Sequence, residues 1–341
     1  MSAATTSHPL LRVDRLTKHF PVRGGLPGRR QVVQAVDDVS FEVWAGETLG
    51  IVGESGCGKS TTARLLMHLV RPDSGTIAFD GKTLGSAMSR RDLHRQMQMV
   101  FQDSYSSLNP RLPAAVSIAF GPLVHGVAKP AALGRAADLL QAVGLDPVVF
   151  ANRYPHELSG GQRQRINVAR ALALEPRLVI LDEAVSALDK SIEAQLLNLL
   201  LDLKDRFDLT YVFISHDLNV VRFISDRVMV MYLGKVVELG PVNWIYRQPR
   251  HPYTRALLSA MPSMNPRRRT MAAPLFGDPP NPINPPSGCR FRTRCPYAEA
   301  ICAALQPELA EMPGEDGRAI ACHIHRPGSG HSRATQAGLA A

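Results

Sequence analysis

Short apolar runs that end on glycine or polar residues recur along the first two thirds of the chain. They lie at Val32–Val33, Val39–Val43, Thr48–Val52, Leu178–Leu181 and Tyr211–Ile214. Runs that are apolar throughout are typical of strands buried on both faces, and helix-like stretches separate the later ones. The pattern therefore predicts an α/β fold whose β-rich start leads into a buried parallel sheet.

Residues 86–165 are richer in helix and loop signals than the flanking sequence, so we expect a helical subdomain within an α/β domain of residues 10–240. The longest uncharged stretch, Leu112–Ala128, is short of membrane-spanning length and is interrupted by prolines and glycine, which favours a loop leading into a short helix. Met1–Phe20 lacks the apolar run and cleavage site of a secretory signal. We therefore expect a cytoplasmic chain without a membrane span of its own.

The composition changes after residue 240. Several prolines and the basic run Arg267–Arg269 follow, and the Pro/Asn stretch Asp278–Pro286 is typical of an extended linker. These features predict a C-terminal extension over residues 241–325. The composition of residues 326–341 predicts a disordered tail.

The 341 residues carry a net charge of +9, with 45% apolar and 20% charged residues, which is the balance of a globular protein. A basic chain suits nucleic acid, an anionic membrane surface or phosphate ligands, but ordinary solvated surface is the commoner reason for such a charge. The five cysteines are expected to be thiols or metal ligands, because reducing compartments disfavour disulfides.

A phosphate loop is the first sign of chemistry, because Gly53–Ser60 matches G-x-x-x-x-G-K-[ST] between an apolar strand and a helix-like run. Its glycines let the backbone wrap an anion, and the amides at the start of the next helix face the charge. Lys59 is expected to reach the β- and γ-phosphates of a nucleotide, and the Ser60 hydroxyl to bind Mg²⁺. The loop alone predicts only a P-loop NTPase, because kinases, GTPases and helicases share it. The predicted nucleotide site includes Gly53, Ser55, Gly56, Cys57, Gly58, Lys59, Ser60 and Thr61.

The string Leu158–Arg165, LSGGQRQR, decides between these classes. Ser159 is placed to cap a helix that begins at Gln162. Gly160 and Gly161 leave backbone amides exposed there, so the helix start forms a second phosphate site. The chain here resembles the ABC ATPase family, whose signature is this string. The resemblance implies an ABC-type nucleotide-binding fold and a head-to-tail dimer, in which each signature closes on the ATP of the other subunit.

Asp182 and Glu183 end an apolar strand, where the family places its magnesium-binding aspartate and its catalytic glutamate. The resemblance implies that Asp182 holds Mg²⁺ through water and that Glu183 polarises the attacking water as general base. His216 follows the next apolar strand and resembles the switch histidine that contacts the γ-phosphate. Many relatives have proline after the glutamate, where this chain has Ala184. That side chain does no chemistry, so we predict an active ATPase.

Three residues elsewhere complete the implied ATP site. Gln102 resembles the loop glutamine that senses Mg²⁺ and couples to the membrane subunit. Asp189 lies in the string SALD, which resembles the dimer-contact loop of the family. Phe20 precedes the first strands, where the family places an aromatic ring on adenine, and a half-buried core ring is the alternative for this position.

The extension narrows the resemblance further. Arg250–Leu258 is similar to the His-Pro-Tyr segment that follows the ATPase core in oligopeptide and dipeptide importers, a group that includes nickel importers. The resemblance implies a peripheral subunit on the cytoplasmic face of a bacterial inner membrane. Its partners would be two permease subunits, a second ABC ATPase chain that is a paralogue or a second copy, and an extracytoplasmic solute-binding protein. We see no chemical role for His251 or Tyr253 and expect both to pack the extension onto the core.

Other functions stay open at this point. The same group includes importers of nickel and of other solutes, and the ATPase subunit does not touch the solute. A soluble nucleic-acid-associated ABC ATPase is suggested by the charge, but the single motif set and the absence of an arm domain disfavour it. A non-catalytic ABC module that only binds ATP is the third alternative.

Four cysteines lie in the extension as Cys289-x₅-Cys295-x₆-Cys302-x₁₉-Cys322. The spacing alone leaves free thiols, zinc and an iron–sulfur cluster open, because neither the paired C-x₂-C of zinc sites nor a common ferredoxin spacing is present. Peptide-importer ATPases have similar tails, and this resemblance implies a [4Fe–4S] cluster, with Zn²⁺ as the alternative. Nothing in the sequence places the motif near the ATP site, so we expect a structural or regulatory role.

Overall fold

The computed structural model of the chain describes residues 8–22, 31–261 and 280–334. The strands in these ranges are β1 (Leu11–Val22), β2 (Gln31–Val43), β3 (Thr48–Val52), β4 (Ser74–Phe79), β5 (Lys82–Thr83), β6 (Met97–Val100), β7 (Leu178–Asp182), β8 (Thr210–Ile214), β9 (Arg227–Tyr232), β10 (Lys235–Pro241), β11 (Ala310–Met312) and β12 (Glu315–Ile320). The helices are α1 (Lys59–Leu66), α2 (Arg90–Gln96), α3 (Ala114–Val124), α4 (Lys129–Ala142), α5 (Pro147–Phe150), α6 (Gly160–Leu172), α7 (Lys190–Phe207), α8 (Leu218–Ile224), α9 (Val242–Arg247), α10 (Pro252–Ser259) and α11 (Ala300–Ala304).

The larger sheet has the strand order β11-β12-β10-β9-β3-β8-β7-β6, and the five strands from β9 to β6 are parallel. The apolar run of β7 is buried on both faces of this sheet. Leu178 and Ile180 join the hydrophobic cluster on one face, and Val179 and Leu181 join the cluster on the other. This arrangement confirms the predicted α/β fold with a buried parallel sheet.

The β-rich start forms a smaller antiparallel sheet in the order β2-β1-β4-β5. The beginning of β1 alternates, with Leu11 and Val13 buried and Arg12 and Asp14 exposed. The buried side chains belong to the same hydrophobic cluster as Ile51 of β3. The smaller sheet is therefore packed against the strand that carries the phosphate loop.

Helices α3, α4 and α6 pack together through small and branched side chains such as Ile118, Ala136 and Ile166. The uncharged stretch Leu112–Ala128 is mostly helix α3, which starts directly after Pro113, so the expected loop is only a few residues long. In the described parts of the chain, no helix combines the length and the apolar character needed to cross a bilayer.

The C-terminal extension completes the larger sheet. Strand β12 pairs antiparallel with β10, with Glu238 opposite Ile320 and Leu239 opposite Ala319, and β11 pairs with β12. The extension is thus joined to the core by backbone hydrogen bonds. The basic run Arg267–Arg269 and the first part of the linker-like stretch lie outside the described residues.

The predicted disorder from residue 326 is wrong for Arg326–Ala334. His331 is buried, with Nε2 2.9 Å from the carbonyl oxygen of Tyr297. The backbone N–H of Ser332 donates to a carboxylate oxygen of Glu299 at 2.9 Å. Composition could not reveal these contacts, because the partners lie about thirty residues away in the chain. Residues 335–341 lie outside the described residues.

A buried ion pair fastens the extension to β10. Arg318 Nη2 lies 2.8 Å from Glu238 Oε1, and both side chains are fully buried. Glu238 also accepts the backbone N–H groups of Arg250 and His251, each at 3.0 Å. Arg318 pairs in addition with Glu315 at 2.9 Å. Because both charges are paired and hydrogen-bonded, they are retained in the interior, and removing one would leave the other without its partner.

We expect Arg318→Leu to lower the free energy of unfolding by about 3–5 kcal/mol, because it leaves the buried carboxylate of Glu238 unpaired. Arg326→Leu is the matched control, because Arg326 pairs with Glu308 at the surface, where the side chains are 49% and 76% exposed. An exposed pair contributes no more than about 1 kcal/mol. Urea unfolding of the full chain compares the two; equal losses would contradict the assignment.

Candidate functional site

The phosphate loop has the strand–loop–helix form that the sequence predicts. Strand β3 ends at Val52, and helix α1 begins at Lys59. A Cβ atom on Gly53 would lie 2.2 Å from the carbonyl oxygen of Met231, and one on Gly58 would lie 2.2 Å from that of Ala35. Gly58 also has a φ of 110°, which L-residues rarely adopt. Both glycines are therefore required by the close approach of neighbouring backbone.

Lys59 is buried beneath the loop, and its Nζ donates to the carbonyl oxygens of Gly53 at 2.8 Å and Glu54 at 3.0 Å. The Ser60 hydroxyl donates to Asp182 Oδ1 at 2.9 Å. Burial raises the pKa of Asp182, although the hydrogen bond from Ser60 acts in the opposite direction. A hydroxyl and a carboxylate oxygen are the hard ligands that Mg²⁺ prefers, and these two are close enough to bind one ion.

Glu183 lies at the centre of a second cluster. Gln102 Nε2 donates to Glu183 Oε2 at 2.8 Å, and His216 Nδ1 lies 3.5 Å from Glu183 Oε1. The backbone of Glu183 has a φ of 49°, in the left-handed region, which is unusual for a non-glycine residue. Its N–H donates to the carbonyl oxygen of Ile214 on β8, which holds this conformation. Strained backbone of this kind is typical of functional sites.

Lys59 and Ser60 of the first cluster and Gln102 and Glu183 of the second border one cavity of about 390 Å³, whereas Asp182 and His216 do not line it. Its lining consists of Phe20, Val33, Ala35, Ser55, Gly56, Gly58, Lys59, Ser60, Thr61, Gln102 and Glu183. Phe20 is 37% exposed at the rim, and Lys18 Nζ lies 5.4 Å from the centre of its ring. An exposed rim ring is available for stacking on a base, whereas a core ring would be buried.

The signature forms a helix start on a different surface. Ser159 Oγ accepts the N–H of Gln162 at 3.3 Å, and the Gln162 side chain accepts the N–H of Ser159 at 2.9 Å, which is a capping box. The predicted cap is confirmed, but α6 begins at Gly160 and not at Gln162. None of residues 158–165 lines the cavity beside Lys59, and Asp189 likewise lies outside it at the start of α7.

Comparison with known proteins identifies the family. Residues 36–186 match the family described as ABC transporter, and residues 237–302 match the family described as oligopeptide/dipeptide transporter, C-terminal region. The chain is 52% identical to the probable peptide ABC transporter ATP-binding protein y4tS of Sinorhizobium fredii, over 94% of this chain and 91% of that protein. It is 48% identical to the oligopeptide transport ATP-binding protein AppF of Bacillus subtilis, over 94% and 99% respectively. The chain belongs to the family of ABC transporter ATP-binding subunits.

Solved structures agree with this ABC transporter fold. CbiO1 of Clostridium perfringens, part of the complex CbiONQ, is similar with a TM-score of 0.61 and 25% identity over 71% of this chain and 92% of that chain. A dimeric post-hydrolysis structure of the ATP-binding cassette MJ0796 with ADP and Pi has a TM-score of 0.59 and 27% identity over 68% and 98%. The predicted family and the predicted ATPase class are confirmed.

A second, larger cleft of the ABC subunit lies beside the ATP site, with a volume of about 790 Å³. Ser60, Gln102 and Asp182 line this cleft, and so do residues of α3. Exposed aromatic and aliphatic side chains stand along it, including Phe120 at 58% and Val124 at 57% exposure. Exposed apolar side chains around a cleft are typical of a protein interface.

The four cysteines of the extension line one small cavity together with His251, His323 and His331. Burial raises the pKa of the Cys289 thiol to about 11 and that of Cys322 to about 12, so both keep their protons at neutral pH. Over residues 8–22, 31–261 and 280–334, no group of three or more His, Cys, Asp or Glu side chains is arranged to hold a metal ion. The four cysteines therefore lie together, but they are not arranged as the ligands of the predicted [4Fe–4S] or zinc site.

The C-terminal extension contacts the phosphate loop next to the cysteine motif, a contact that no sequence motif predicted. Arg294, the residue before Cys295, forms an ion pair with Glu54 of the phosphate loop, at 2.8 Å. Tyr253 is buried, as expected of a packing residue, but its hydroxyl also accepts the N–H of Glu54 at 2.9 Å. Sequence reasoning missed these contacts because they join residues about two hundred positions apart, and no local pattern signals them.

Gly58→Ala is expected to weaken ATP binding by about tenfold or more, since the loop must shift to separate the new Cβ from the Ala35 carbonyl. Gly46→Ala is the matched control, because Gly46 also has a positive φ, +76°, but a Cβ there has no atom within 4 Å. The control should cost about 1 kcal/mol of stability and leave ATP affinity unchanged. ATP titration and thermal unfolding of both variants test this; equal affinities would refute the steric argument.

Proposed function

We propose that this ABC subunit hydrolyses ATP to drive an importer of oligopeptides or dipeptides. The observation that carries the proposal is the combination of one ATP site with an extension of the oligopeptide/dipeptide type on the same chain. Relatives named as peptide or oligopeptide transport proteins support the substrate class.

The geometry supports specific roles for the residues around the smaller cavity. Lys59 and the amides at the start of α1 bind the phosphates of ATP, and Phe20 stacks on the adenine. Ser60, and Asp182 through water, would hold Mg²⁺, which would supply positive charge to neutralise the phosphates. The short Ser60–Asp182 distance supports this assignment.

Glu183 is the general base in this proposal. Its carboxylate receives a hydrogen bond from Gln102 and lies beside His216, so it is held at one orientation. From there it polarises a water for attack on the γ-phosphate, and His216 contacts the γ-phosphate itself. The left-handed backbone at Glu183 fixes the carboxylate at the strand end, so little reorganisation is needed before reaction.

A second ATPase chain completes the site. Ser159 is exposed at the capped start of α6, and this helix start does not line the chain's own cavity. We propose that it closes on the ATP of a second subunit, a paralogue or another copy of this chain, with Asp189 at the dimer contact. The positive end of the helix then stabilises charge on the γ-phosphate.

The larger cleft is the proposed docking site for a permease segment at the cytoplasmic face of the inner membrane. Ser60 and Gln102 line both this cleft and the ATP cavity. A movement of either side chain therefore changes the shape of both cavities. Two permease subunits and an extracytoplasmic solute-binding protein complete the proposed importer. The apolar side chains of the cleft supply the contact area for a permease helix.

Glu183→Gln in the transporter, reconstituted with its permeases and binding protein, should lower ATP hydrolysis by about 10²-fold or more and abolish uptake of labelled peptide. ATP binding should persist, because the loop is untouched. Glu175→Gln is the control, since this exposed carboxylate pairs with Arg135 at the surface. Equal turnover of wild type and Glu183→Gln would exclude Glu183 as the base. Hydrolysis that no peptide stimulates would contradict the substrate class.

The [4Fe–4S] cluster stays a prediction, with Zn²⁺ as the alternative. Its support is that Cys289, Cys295, Cys302 and Cys322 line the same cavity. Metal binding would require the buried thiols to lose their protons and to move into a ligating arrangement, since they are not arranged so here.

Anaerobic purification of the full chain, followed by visible spectroscopy and iron and zinc analysis, tests the metal prediction. Broad visible absorbance with iron would support the cluster, and zinc without colour would support the alternative. Cys322→Ser should abolish either signal, whereas Cys57→Ser, in the phosphate loop, should leave it intact. Absence of both metals from the wild type would refute the prediction.

A further inference from the structure

Glu54, the residue after the first glycine of the phosphate loop, is held at three points. Its backbone N–H donates to the Tyr253 hydroxyl at 2.9 Å, and its carbonyl oxygen accepts from Lys59 Nζ at 3.0 Å. Its carboxylate accepts two parallel hydrogen bonds from Arg294, Nη1 to Oε2 at 2.8 Å and Nη2 to Oε1 at 3.1 Å. Two of the three points belong to the C-terminal extension.

The two contacts from the extension are built on rigid packing. The Arg294 side chain is only 5% exposed, and its guanidinium lies 5.9 Å from the ring centre of Tyr232. Tyr253 is fully buried, with ring centres 4.6 Å from Tyr232 and 5.4 Å from Phe291. Side chains fixed in this way lose little conformational entropy when they bind the loop. Their hydrogen bonds to Glu54 therefore stabilise the position of the loop.

The charge of Glu54 makes the ion pair important for ATP. The phosphate loop binds the negatively charged phosphates of ATP. An unpaired carboxylate on the loop would repel these phosphates, and water would screen the repulsion only in part because the loop is partly buried. Arg294 neutralises that carboxylate with a bidentate pair, so the positive charge of Lys59 is not offset by Glu54. Tyr253 in turn fixes the first turn of the loop, whose amides bind the nucleotide.

We propose that Arg294 and Tyr253 are positioning residues of the ATP site, which hold and neutralise Glu54 so that the phosphate loop binds ATP. The C-terminal extension therefore sets the ATP affinity of the subunit, in addition to any role of its cysteines.

Arg294→Gln tests the proposal in the full chain assembled with its permeases. The Kd and KM for ATP should rise by about tenfold or more, because Glu54 is left unpaired and repels the phosphates, while kcat at saturating ATP changes much less. Arg292→Gln is the matched control, since it removes the same charge two residues away, where the Arg292 Nε donates to the Ser287 carbonyl at 2.8 Å. The control should keep the wild-type KM.

A second substitution distinguishes neutralisation of the Glu54 carboxylate from a structural effect of losing the Arg294 side chain. Adding Glu54→Gln to Arg294→Gln removes the repelling charge, and ATP affinity should recover by most of the loss. Arg294→Lys, which keeps the charge but not the bidentate geometry, should fall between wild type and Arg294→Gln. A double variant as weak as Arg294→Gln, or an Arg294→Gln chain with wild-type affinity, would overturn the proposal.

Tyr253→Phe tests the same proposal if the Arg294 variants fold poorly. It retains the ring and its packing and removes only the hydroxyl that accepts from Glu54, so thermal unfolding should be almost unchanged. The KM for ATP should rise by about threefold to tenfold with little change in kcat, the effect of one lost hydrogen bond. An unchanged KM would show that the extension does not position the loop.

Discussion

The parallel register of β3, β8, β7 and β6 is the constraint on which the site depends. Parallel strands bring their carboxyl ends to one edge of the sheet. Each of these four strands ends at a residue of the candidate ATP site or is followed by one. The phosphate loop follows β3, Asp182 and Glu183 end β7, and His216 and Gln102 follow β8 and β6. The apolar runs are buried on both faces, and their close packing holds the strands in place, so packing far from the nucleotide determines which side chains meet.

The extension adds a second constraint on the same edge. It is joined to the sheet through β12 and the buried Glu238–Arg318 pair, and from this anchor it places Arg294 and Tyr253 against Glu54. A segment that the sequence marks as an appendage is thus in direct contact with the phosphate loop, although none of the residues that line the cavity belongs to it. Changes in the extension are therefore transmitted to the loop through few intervening contacts.

Sequence reasoning predicted the parts of the structure that rest on local patterns. The strands at Thr48–Val52 and Leu178–Leu181 follow from apolar runs, and the loop of Gly53–Ser60 and the cap at Ser159 follow from short motifs whose backbone requirements are strict. These motifs also named the family, which the relatives confirm.

Contacts between distant segments could not be predicted in the same way. The Arg294–Glu54 pair, the packing of His331 and the shared cavity of the four cysteines each depend on how the extension folds back over the core. From sequence alone, a charged residue is expected to lie on the solvated surface. The fold shows instead that the side chains of Arg294 and Arg318 are buried and form ion pairs with Glu54 and Glu238.

In the proposed mechanism, one edge of the sheet binds Mg–ATP and a second chain supplies the signature. A structure of the assembled Glu183→Gln transporter with Mg–ATP tests it most directly. We expect the phosphates at the start of α1, Mg²⁺ between Ser60 and Asp182, and a signature helix from the second ATPase chain on the γ-phosphate. Nucleotide bound elsewhere, or contacted by Ser159 of the same chain, would contradict it.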